Sequence, residues 1–263
     1  MFKRGTSLMA SIVALPMALV LVAALFVLTG GQAHAQSMNG GSGMANFAFT
    51  ALITKGANTN TAITGGLNVN FNSPYYCYPH PYCFHGNLHE PDGTQISVSG
   101  ELKDGNFNIT FYNAEGQPII KGVGTQQNNG ELVGTFNYYN NNYWVASGIW
   151  SAYPVANPSD VLALAFWGKT KHGPDAGTLY TGAIVLNKET LTGTFNLPDG
   201  TVANVSAMLE QNNISVVFDL GGGMKIFGIG VPYSKDNMTG FKGPFVGHMQ
   251  GDEGYWHAFF FQF

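Results

Sequence analysis

The chain has 263 residues and carries 11 basic against 15 acidic side chains, which gives a net charge of −4 at pH 7 with neutral histidines. Charged residues make up only 10% of the chain, so Asn, Gln, Ser and Thr must supply most of the solvation of its surface. The sequence contains no basic stripe, which argues against nucleic acid as a partner.

The first 35 residues have the layout of a secretory signal peptide. Lys3 and Arg4 precede an apolar run from Leu8 to Leu28, and Ala33 and Ala35 are the small residues of an A-x-A cleavage site. Cleavage after Ala35 leaves nine basic and 15 acidic residues, a net charge of −6, in a secreted protein or one of the cell envelope. The apolar run is long enough to span a bilayer, so an uncleaved membrane anchor is the alternative.

The remainder of the chain contains an internal duplication at a spacing of 107 residues. Gly86–Leu102 matches Gly193–Leu209, and within it the turn Pro91–Thr94 falls on Pro198–Thr201. Asn106 and Phe111 match Asn213 and Phe218. Three glycines, Gly122, Gly124 and Gly134, match Gly228, Gly230 and Gly240, and Tyr143–Ala146 matches Tyr255–Ala258. The predicted organisation is a flexible spacer at 36–44, repeat 1 at 45–151, a proline-containing linker at 152–160 and repeat 2 at 161–263.

Each repeat reads as a series of short strands, because its apolar residues recur with a period of two. Ile96, Val98 and Leu102 alternate with polar residues, and Asp-Gly and Asn-Gly pairs, such as Asp92-Gly93, mark tight hairpins between the runs. In repeat 1 we predict eight strands, near residues 46–54, 66–72, 83–89, 94–102, 105–113, 117–124, 130–138 and 142–150. Repeat 2 is expected to contain the same eight.

Short connections between successive strands predict an all-β fold in which each repeat is an antiparallel up-and-down meander. Eight such strands can close into a barrel, which removes the exposed sheet edges. Glycines on the apolar face, at Gly86, Gly100, Gly134 and Gly193, fit a crowded barrel interior. The sequence therefore predicts two tandem eight-stranded barrels.

This plan resembles that of the calycins and the avidin family, which includes streptavidin. The segment LTGTF, Leu191 to Phe195, is similar to a strand of the avidin family. The chain has no matching set of tryptophans for a biotin pocket. The resemblance therefore implies the barrel plan and no site residues.

The C-terminal strand raises an alternative architecture. Phe263, Phe261, Phe259 and Tyr255 alternate in a pattern that resembles the closing strand of bacterial outer-membrane barrels, with His257 interrupting the run. The two repeats would then form one sixteen-stranded outer-membrane pore. Against this stand strands that are mostly shorter than the roughly 9–11 residues of a membrane crossing, the glycines on the apolar face and the proline linker.

The histidines are weak candidates for a metal site. His85 and His89 share one face of a predicted strand, but four residues along a strand span roughly 13 Å. His80, in the preceding loop, is the only further ligand that could join one of them. Repeat 2 has Thr192 and Asn196 at the corresponding positions, so the histidines are interpreted as solvated surface residues and no metal is predicted.

The two cysteines, Cys77 and Cys83, are separated by five residues in a chain predicted to be secreted. Their spacing is neither that of a zinc site with four ligands nor the C-x-x-C of a redox centre. A structural disulfide is the prediction. The loop that contains it is an insertion of eight residues relative to repeat 2, so the disulfide is expected to stiffen the loop and not the barrel.

No catalytic motif is found, and the sequence predicts no cofactor. The acidic residues mostly occupy turns, and the chain has no G-x-S-x-G, P-loop or H-E-x-x-H motif. An extracellular hydrolase or isomerase that works at a barrel mouth through His85, His89 or Glu90 is the enzymatic alternative.

The remaining candidates for function are two loops rich in Tyr and Asn, Pro74–Cys83 and Phe136–Trp144. Tyr offers a flat apolar face with a hydroxyl, and Asn offers donors and acceptors, a mixture that suits glycans or protein surfaces. The candidate binding residues are Tyr75, Tyr76, Tyr78, His80, Tyr82, Tyr138, Tyr139, Tyr143 and Trp144. The predicted function is a secreted, non-enzymatic binding or structural protein, with a glycan, a small molecule or a protein surface as its ligand.

Overall fold

The described part of the chain forms two closed eight-stranded barrels. The computed structural model describes residues 43–71, 83–103, 105–141, 143–247, 249 and 251–263, all within one compact unit that spans 33–263. In both barrels successive strands pair antiparallel, and the last strand pairs with the first. The prediction of two tandem up-and-down barrels is confirmed, and the sixteen-stranded pore is wrong because each set of eight strands closes on itself.

Sixteen strands make up the two barrels. Barrel 1 consists of β1 (Met44–Gly56), β2 (Ala62–Asn70), β3 (Cys83–His89), β4 (Gln95–Lys103), β5 (Asn106–Tyr112), β6 (Pro118–Gln126), β7 (Leu132–Asn140) and β8 (Tyr143–Pro154). Barrel 2 consists of β9 (Val161–His172), β10 (Leu179–Asn187), β11 (Thr192–Asn196), β12 (Val202–Glu210), β13 (Asn213–Gly221), β14 (Met224–Lys235), β15 (Met238–Val246) and β16 (Glu253–Phe260). No helix of the described residues has the length and apolarity that a bilayer crossing requires.

The connection between the barrels is shorter than the predicted linker. Strand β8 continues to Pro154, three residues into the segment 152–160. One 3-10 turn, Pro158–Asp160, then leads directly into β9. The two barrels are therefore joined by only a few residues outside regular structure.

Aspartate side chains shape the equivalent hairpins of the two barrels. Asp92 Oδ1 accepts a hydrogen bond from the backbone N–H of Thr94 at 2.8 Å, and Asp199 Oδ1 accepts one from Thr201 at 2.9 Å. Such local hydrogen bonds compete with strand continuation and fix the turn. The turn aspartates thus have the structural role that the sequence assigned to them.

Side chains fill the interior of barrel 1. Trp150 and Phe107 are almost completely buried, and Phe84 and Phe107 stack with ring centroids 4.6 Å apart. A cavity of about 20 Å³ remains between apolar side chains that include Phe49 and Trp150. A space of that size admits about one water molecule and no organic ligand.

The interior of barrel 2 is built from the corresponding aromatic residues. The Phe166 ring lies 5.8 Å from Trp256 and 5.0 Å from Phe218, and Phe195 lies 5.1 Å from Phe218, centroid to centroid. These offset and edge contacts are the arrangements that aromatic pairs prefer. The core aromatic residues of each repeat are therefore directed into their own barrel.

The strand register aligns the two copies residue by residue. Val98 pairs with Phe111 in barrel 1, and Val205 pairs with Phe218 in barrel 2, which confirms the spacing of 107 residues for these strands. At the first strand the spacing is 117, since Phe49 pairs with Gly65 and the equivalent pair is Phe166 with Gly182. At the last strand it is 106, which makes Trp150 and Trp256 equivalent.

The barrels contact each other through equivalent outer faces. Strands β1 and β2 of barrel 1 lie against β9 and β10 of barrel 2, and the last strands β8 and β16 flank the contact. Ala48 and Val155 of barrel 1 pack with Ala163, Ala183 and Val185 of barrel 2 in one buried apolar cluster. Because each barrel uses the same strands, the interface has the layout of an isologous contact between two copies of one unit.

Candidate functional site

A cleft of about 420 Å³ opens at one end of the interface between the barrels. Barrel 1 lines it with residues 60–64, at the start of β2, and with the β3–β4 turn at Glu90–Asp92. Barrel 2 lines it with residues 165–167 of β9 and with side chains from β10, β15 and β16. Ligand sites for small molecules occupy about 300–1,000 Å³, so the cleft has the volume of such a site.

The β1–β2 turn forms part of the barrel 1 side of the cleft. The β1–β2 turn contains Asn58 and Asn60 with φ of 59° and 71°, a left-handed backbone that Asn tolerates well. Its Asn60 N–H donates to the Ile53 carbonyl at 2.8 Å. Asn60 and Thr61 are exposed, so their amide and hydroxyl groups are accessible from the cleft that they line.

The barrel 2 side of the cleft is aromatic. His257, Trp167 and Thr181 are neighbours on three adjacent strands, since His257 pairs with Trp167 and Trp167 pairs with Thr181. The imidazole of His257 stacks on the Trp167 ring with centroids 5.0 Å apart and planes 17° from parallel. Phe259 contacts His257 at 5.3 Å. All of these side chains point outward from barrel 2, away from its filled interior.

Two ionisable groups in the cleft have shifted pKa values. Burial raises the pKa of the Glu90 carboxyl, and the nearby charge of Asp92 raises it further. Burial lowers the pKa of His257, and the positive charge of Lys235 acts in the same direction. His257 therefore binds its proton less tightly than an exposed imidazole, and Glu90 binds its proton more tightly than an exposed glutamate.

The opposite end of the same interface is closed by direct contacts. Ser151, which is equivalent to His257, donates a hydrogen bond through Oγ to the backbone carbonyl of Leu197 at 2.8 Å. Leu197 is itself the equivalent of Glu90. The side chain of Val133 reaches the turn at Gly200, where an added Cβ would lie 2.6 Å from a Val133 methyl.

The two copies differ in the size of their outward-facing residues at the interface. Thr50, the equivalent of Trp167, is completely buried, and its hydroxyl lies 3.0 Å from that of Thr64. Trp167 and His257, which line the cleft, have the smaller Thr50 and Ser151 as their equivalents in barrel 1. The cleft is thus lined by the larger residue of each of these equivalent pairs.

The first loop predicted to bind a ligand connects β2 to β3. Tyr75, Tyr76, Cys77, Tyr78, His80 and Tyr82 lie outside the described residues. The two residues that flank them, Phe71 and Cys83, lie at the end of barrel 1 away from the cleft, because the cleft contacts the start of β2 and the end of β3. The disulfide stays a prediction because Cys77 lies outside the described residues.

The second predicted loop is the β7–β8 hairpin. Tyr143 and Trp144 are exposed, Tyr138 packs partly on the barrel 1 core, and Lys121 Nζ lies 6.0 Å from the Tyr139 ring centroid. The hairpin is at the same barrel end as the cleft without lining it. Sequence reasoning named Glu90 only for the enzymatic alternative and missed Trp167 as a site residue.

The histidines of β3 are separated as the strand geometry requires. His85 pairs with Ser99 and His89 with Gln95, four residues apart along one strand. Among the residues that the structure describes, no group of three or more His, Cys, Asp or Glu side chains is close enough to hold a metal ion. The groups that line the cleft are aromatic faces, the imidazole of His257, hydroxyls, one amide, the partly buried carboxyl of Glu90 and the exposed carboxyl of Asp92.

Comparison of the chain with protein-family models, with curated proteins and with solved structures finds no match.

Proposed function

We propose that the chain is a secreted, non-enzymatic binding protein that holds a small ligand in the cleft between its barrels. The observation that carries this proposal is a concave site of about 420 Å³ with an aromatic wall and a polar wall. Binding pockets typically combine a largely apolar lining with a few placed polar groups. The signal-peptide pattern of the first 35 residues supports secretion.

The lining favours a saccharide as the ligand. A sugar ring has apolar C–H faces, which would lie on the Trp167 and His257 rings, and hydroxyls around its edge. Asn60, Thr61 and Glu90 offer an amide, a hydroxyl and a carboxyl from the opposite wall. Such groups exchange hydrogen bonds with hydroxyls, and a neutral ligand avoids placing a charge beside the partly buried Glu90.

The barrel lumen offers much less room than the cleft. The cavity inside barrel 1 measures about 20 Å³ and is lined by apolar side chains, against about 420 Å³ for the cleft. The ligand is therefore assigned to the cleft and not to the interior of barrel 1. The cleft is the place where the duplication itself creates a surface that one barrel alone does not have.

The test begins with a glycan array probed with the chain from Gln36 onward, followed by calorimetry with the strongest-binding oligosaccharide. We expect Trp167→Thr to weaken binding by roughly tenfold or more, because loss of an aromatic platform removes about 1–3 kcal/mol. Thr is the residue that barrel 1 carries at the equivalent position, so the variant is expected to fold.

The matched control is Trp144→Thr, which removes an exposed tryptophan outside the cleft. Binding should be unchanged in this variant. Two results would contradict the proposal: no saccharide bound at all, or equal loss of binding in the two variants. In the second case the loops, and not the cleft, would hold the ligand.

A hydrolase is the second candidate because Glu90 and His257 line one cleft with pKa values shifted in opposite directions. Carboxyl and imidazole groups with shifted pKa values are common in general acid–base sites. A hydrolase predicts that Glu90→Gln abolishes turnover of the bound oligosaccharide while affinity is retained. Detection of no product after prolonged incubation with the wild-type chain would leave the binding function alone.

A further inference from the structure

Barrel 2 exposes a group of large apolar side chains on the part of its outer wall that does not contact barrel 1. Phe227 and Ile229 of β14 are 48% and 60% exposed, and Val231 follows on the same face. Phe227 pairs with the exposed Val246 of β15, and the exposed Tyr255 continues the surface on β16. We call this surface, Phe227, Ile229, Val231, Val246 and Tyr255, the exposed apolar face.

The fold does not require all of these apolar residues, because barrel 1 has polar residues at three of the five equivalent positions. Lys121 is the equivalent of Phe227, Thr125 of Val231 and Asn137 of Val246. Barrel 1 closes with the same topology and an equally filled core. Since single exposed apolar residues are normal but contiguous ones mark interaction surfaces, the face points to a partner that only barrel 2 contacts.

Three lysines that form no ion pair with the described residues border the exposed apolar face. Lys171 Nζ lies 4.4 Å from the Tyr255 ring centroid, and Lys242, which pairs with Val231, lies 3.9 Å from the ring of Tyr233. Lys169 pairs with Tyr255 on the neighbouring strand. Among the described residues none of these three lysines forms an ion pair, whereas the ion pairs of this barrel are Lys225–Asp219 and Lys235–Asp236.

The partner must therefore accept apolar side chains at its centre and positive charge at its edge. We propose that the exposed apolar face docks on a lipid surface with anionic headgroups. Phe227, Ile229 and Val246 enter the boundary of the acyl chains, and the lysines contact the headgroups. Tyr255 lies under Lys171, where an amphipathic ring and an extended lysine suit the interface between headgroups and hydrocarbon.

A second copy of this chain is a less suitable occupant. If two exposed apolar faces met in a symmetric contact, Lys169, Lys171 and Lys242 of each copy would approach the same lysines of the other. Their like charges would oppose the contact, and the charge of Glu253, which pairs with Val246, would offset only part of this repulsion. An anionic surface turns the same charges into an attraction.

The test is co-sedimentation of the chain from Gln36 onward with phosphatidylcholine vesicles that either contain or lack phosphatidylglycerol. This part of the chain is used because 33–263 is one compact unit. We expect binding to the anionic vesicles and on the order of fivefold weaker partition for each of Lys169, Lys171 and Lys242 that is changed to Gln. The variant Phe227→Gln, Val246→Asn removes two apolar side chains without adding charge and should lower partition by roughly tenfold or more.

The control variant is Val123→Thr, which changes an exposed apolar residue of barrel 1 and should leave vesicle binding unchanged. Circular dichroism of all variants separates loss of binding from loss of fold. The proposal is overturned if the wild-type chain does not sediment with anionic vesicles. It is also overturned if light scattering shows a dimer that Phe227→Gln, Val246→Asn dissociates, since the face would then hold a second copy.

Discussion

Trp150 and Trp256 occupy the same position in the two barrels and make the same hydrogen bond. The indole N–H of Trp150 donates to the Thr135 carbonyl at 3.0 Å, and that of Trp256 donates to the Pro244 carbonyl at 3.1 Å. Each ring lies inside its barrel against a pair of glycines on the sixth strand of that barrel. The space for the largest side chain of each core is therefore provided by residues without a side chain.

The glycine beside each indole is expected to be intolerant of a methyl group. A Cβ on Gly124 would lie 2.7 Å from Trp150 Cζ2, and a Cβ on Gly230 would lie 2.6 Å from Trp256 Cζ2. The rings are enclosed and cannot retreat, so Gly124→Ala and Gly230→Ala should each lower the free energy of unfolding by about 1–3 kcal/mol. Urea unfolding followed by circular dichroism measures this loss.

Gly43→Ala is the matched control for both glycines, because a Cβ there meets no atom within 4 Å. It should leave the free energy of unfolding within about 0.5 kcal/mol of the wild-type value. If Gly124→Ala and Gly230→Ala behave like this control, the indoles do not pack as described.

The glycine pattern was one of the features that the sequence alone could predict. Gly100 and Gly134 were assigned to a crowded interior, and an added Cβ would meet the Phe84 ring at 2.3 Å and the Trp150 indole at 2.8 Å respectively. The period of two and the hairpin signals also gave the correct number of strands. These features are local, and each barrel closes within one repeat, so local patterns were sufficient.

The equivalence of the last strands could not be predicted from short matches. Tyr143–Ala146 was aligned with Tyr255–Ala258, but the register makes Trp150 the equivalent of Trp256. The two alignments differ in spacing by six residues, and β8 is four residues longer than β16. The match of Gly134 with Gly240 is also wrong, since Gly134 pairs with Trp150 and Gly243 pairs with Trp256. Strand β14 is three residues longer than β6, which moves the following strand by three residues.

The cleft itself could not be predicted from the sequence. His257 was recognised as an interruption of an apolar run, and it does face outward. Its contact with Trp167 comes from strand closure, and the opposing Glu90 comes from the packing of one barrel on the other. Strand periodicity says which residues face outward but not which outer faces meet.

The cysteines give a prediction about the β2–β3 connection. Cys83 is the first residue of β3 and pairs with Glu101 on β4, so it begins the strand and is not central to the barrel. Barrel 2 makes the equivalent connection with Asn187 to Thr192 and without cysteine. The double variant Cys77→Ser, Cys83→Ser should therefore keep the β signal of the wild-type chain in far-ultraviolet circular dichroism.

Thermal unfolding of the same double variant measures how much stability the loss of the two thiols costs. If the wild-type chain contains the disulfide, its removal should lower stability by no more than about 2–3 kcal/mol, the chain-entropy contribution of a small loop. The single variant Cys83→Ser distinguishes the loss of a bond from the loss of a packed thiol. Collapse of the whole β signal in the double variant would show that barrel 1 depends on these residues.

Glu131 is a buried carboxyl at the closed end of the interface between the barrels. Its side chain is 1% exposed, Asn129 Nδ2 donates to Oε2 at 3.4 Å, and Oε1 has no hydrogen-bond partner among the described residues. Burial raises its pKa from 4.5 to about 7, and the charge of Asp199 on barrel 2 adds to the effect. Burial also raises the pKa of the neighbouring Tyr153, and the charge of Glu131 raises it further.

The raised pKa makes the stability of the joined barrels depend on pH. Between pH 4.5 and about 7 the folded chain keeps a proton on Glu131 that the unfolded chain releases. The stabilisation from this proton is complete below pH 4.5 and is lost as the pH rises through 7. At about 1.4 kcal/mol per pKa unit, the rise from 4.5 to about 7 amounts to roughly 3.5 kcal/mol. The raised pKa of Glu90 acts in the same direction.

Glu131→Gln should remove this dependence, because a neutral amide keeps the shape of the protonated acid without its titration. The melting temperature of the variant should exceed that of the wild type at pH 8 and approach it at pH 5. Asp199→Asn should produce a partial effect of the same sign, and Glu210→Gln, an exposed glutamate of β12, should produce none. The prediction is contradicted if wild-type stability is flat or rises from pH 5 to pH 8 and does not differ from that of Glu131→Gln. Glu131 would then be ionised within the interface, and another group would compensate its charge.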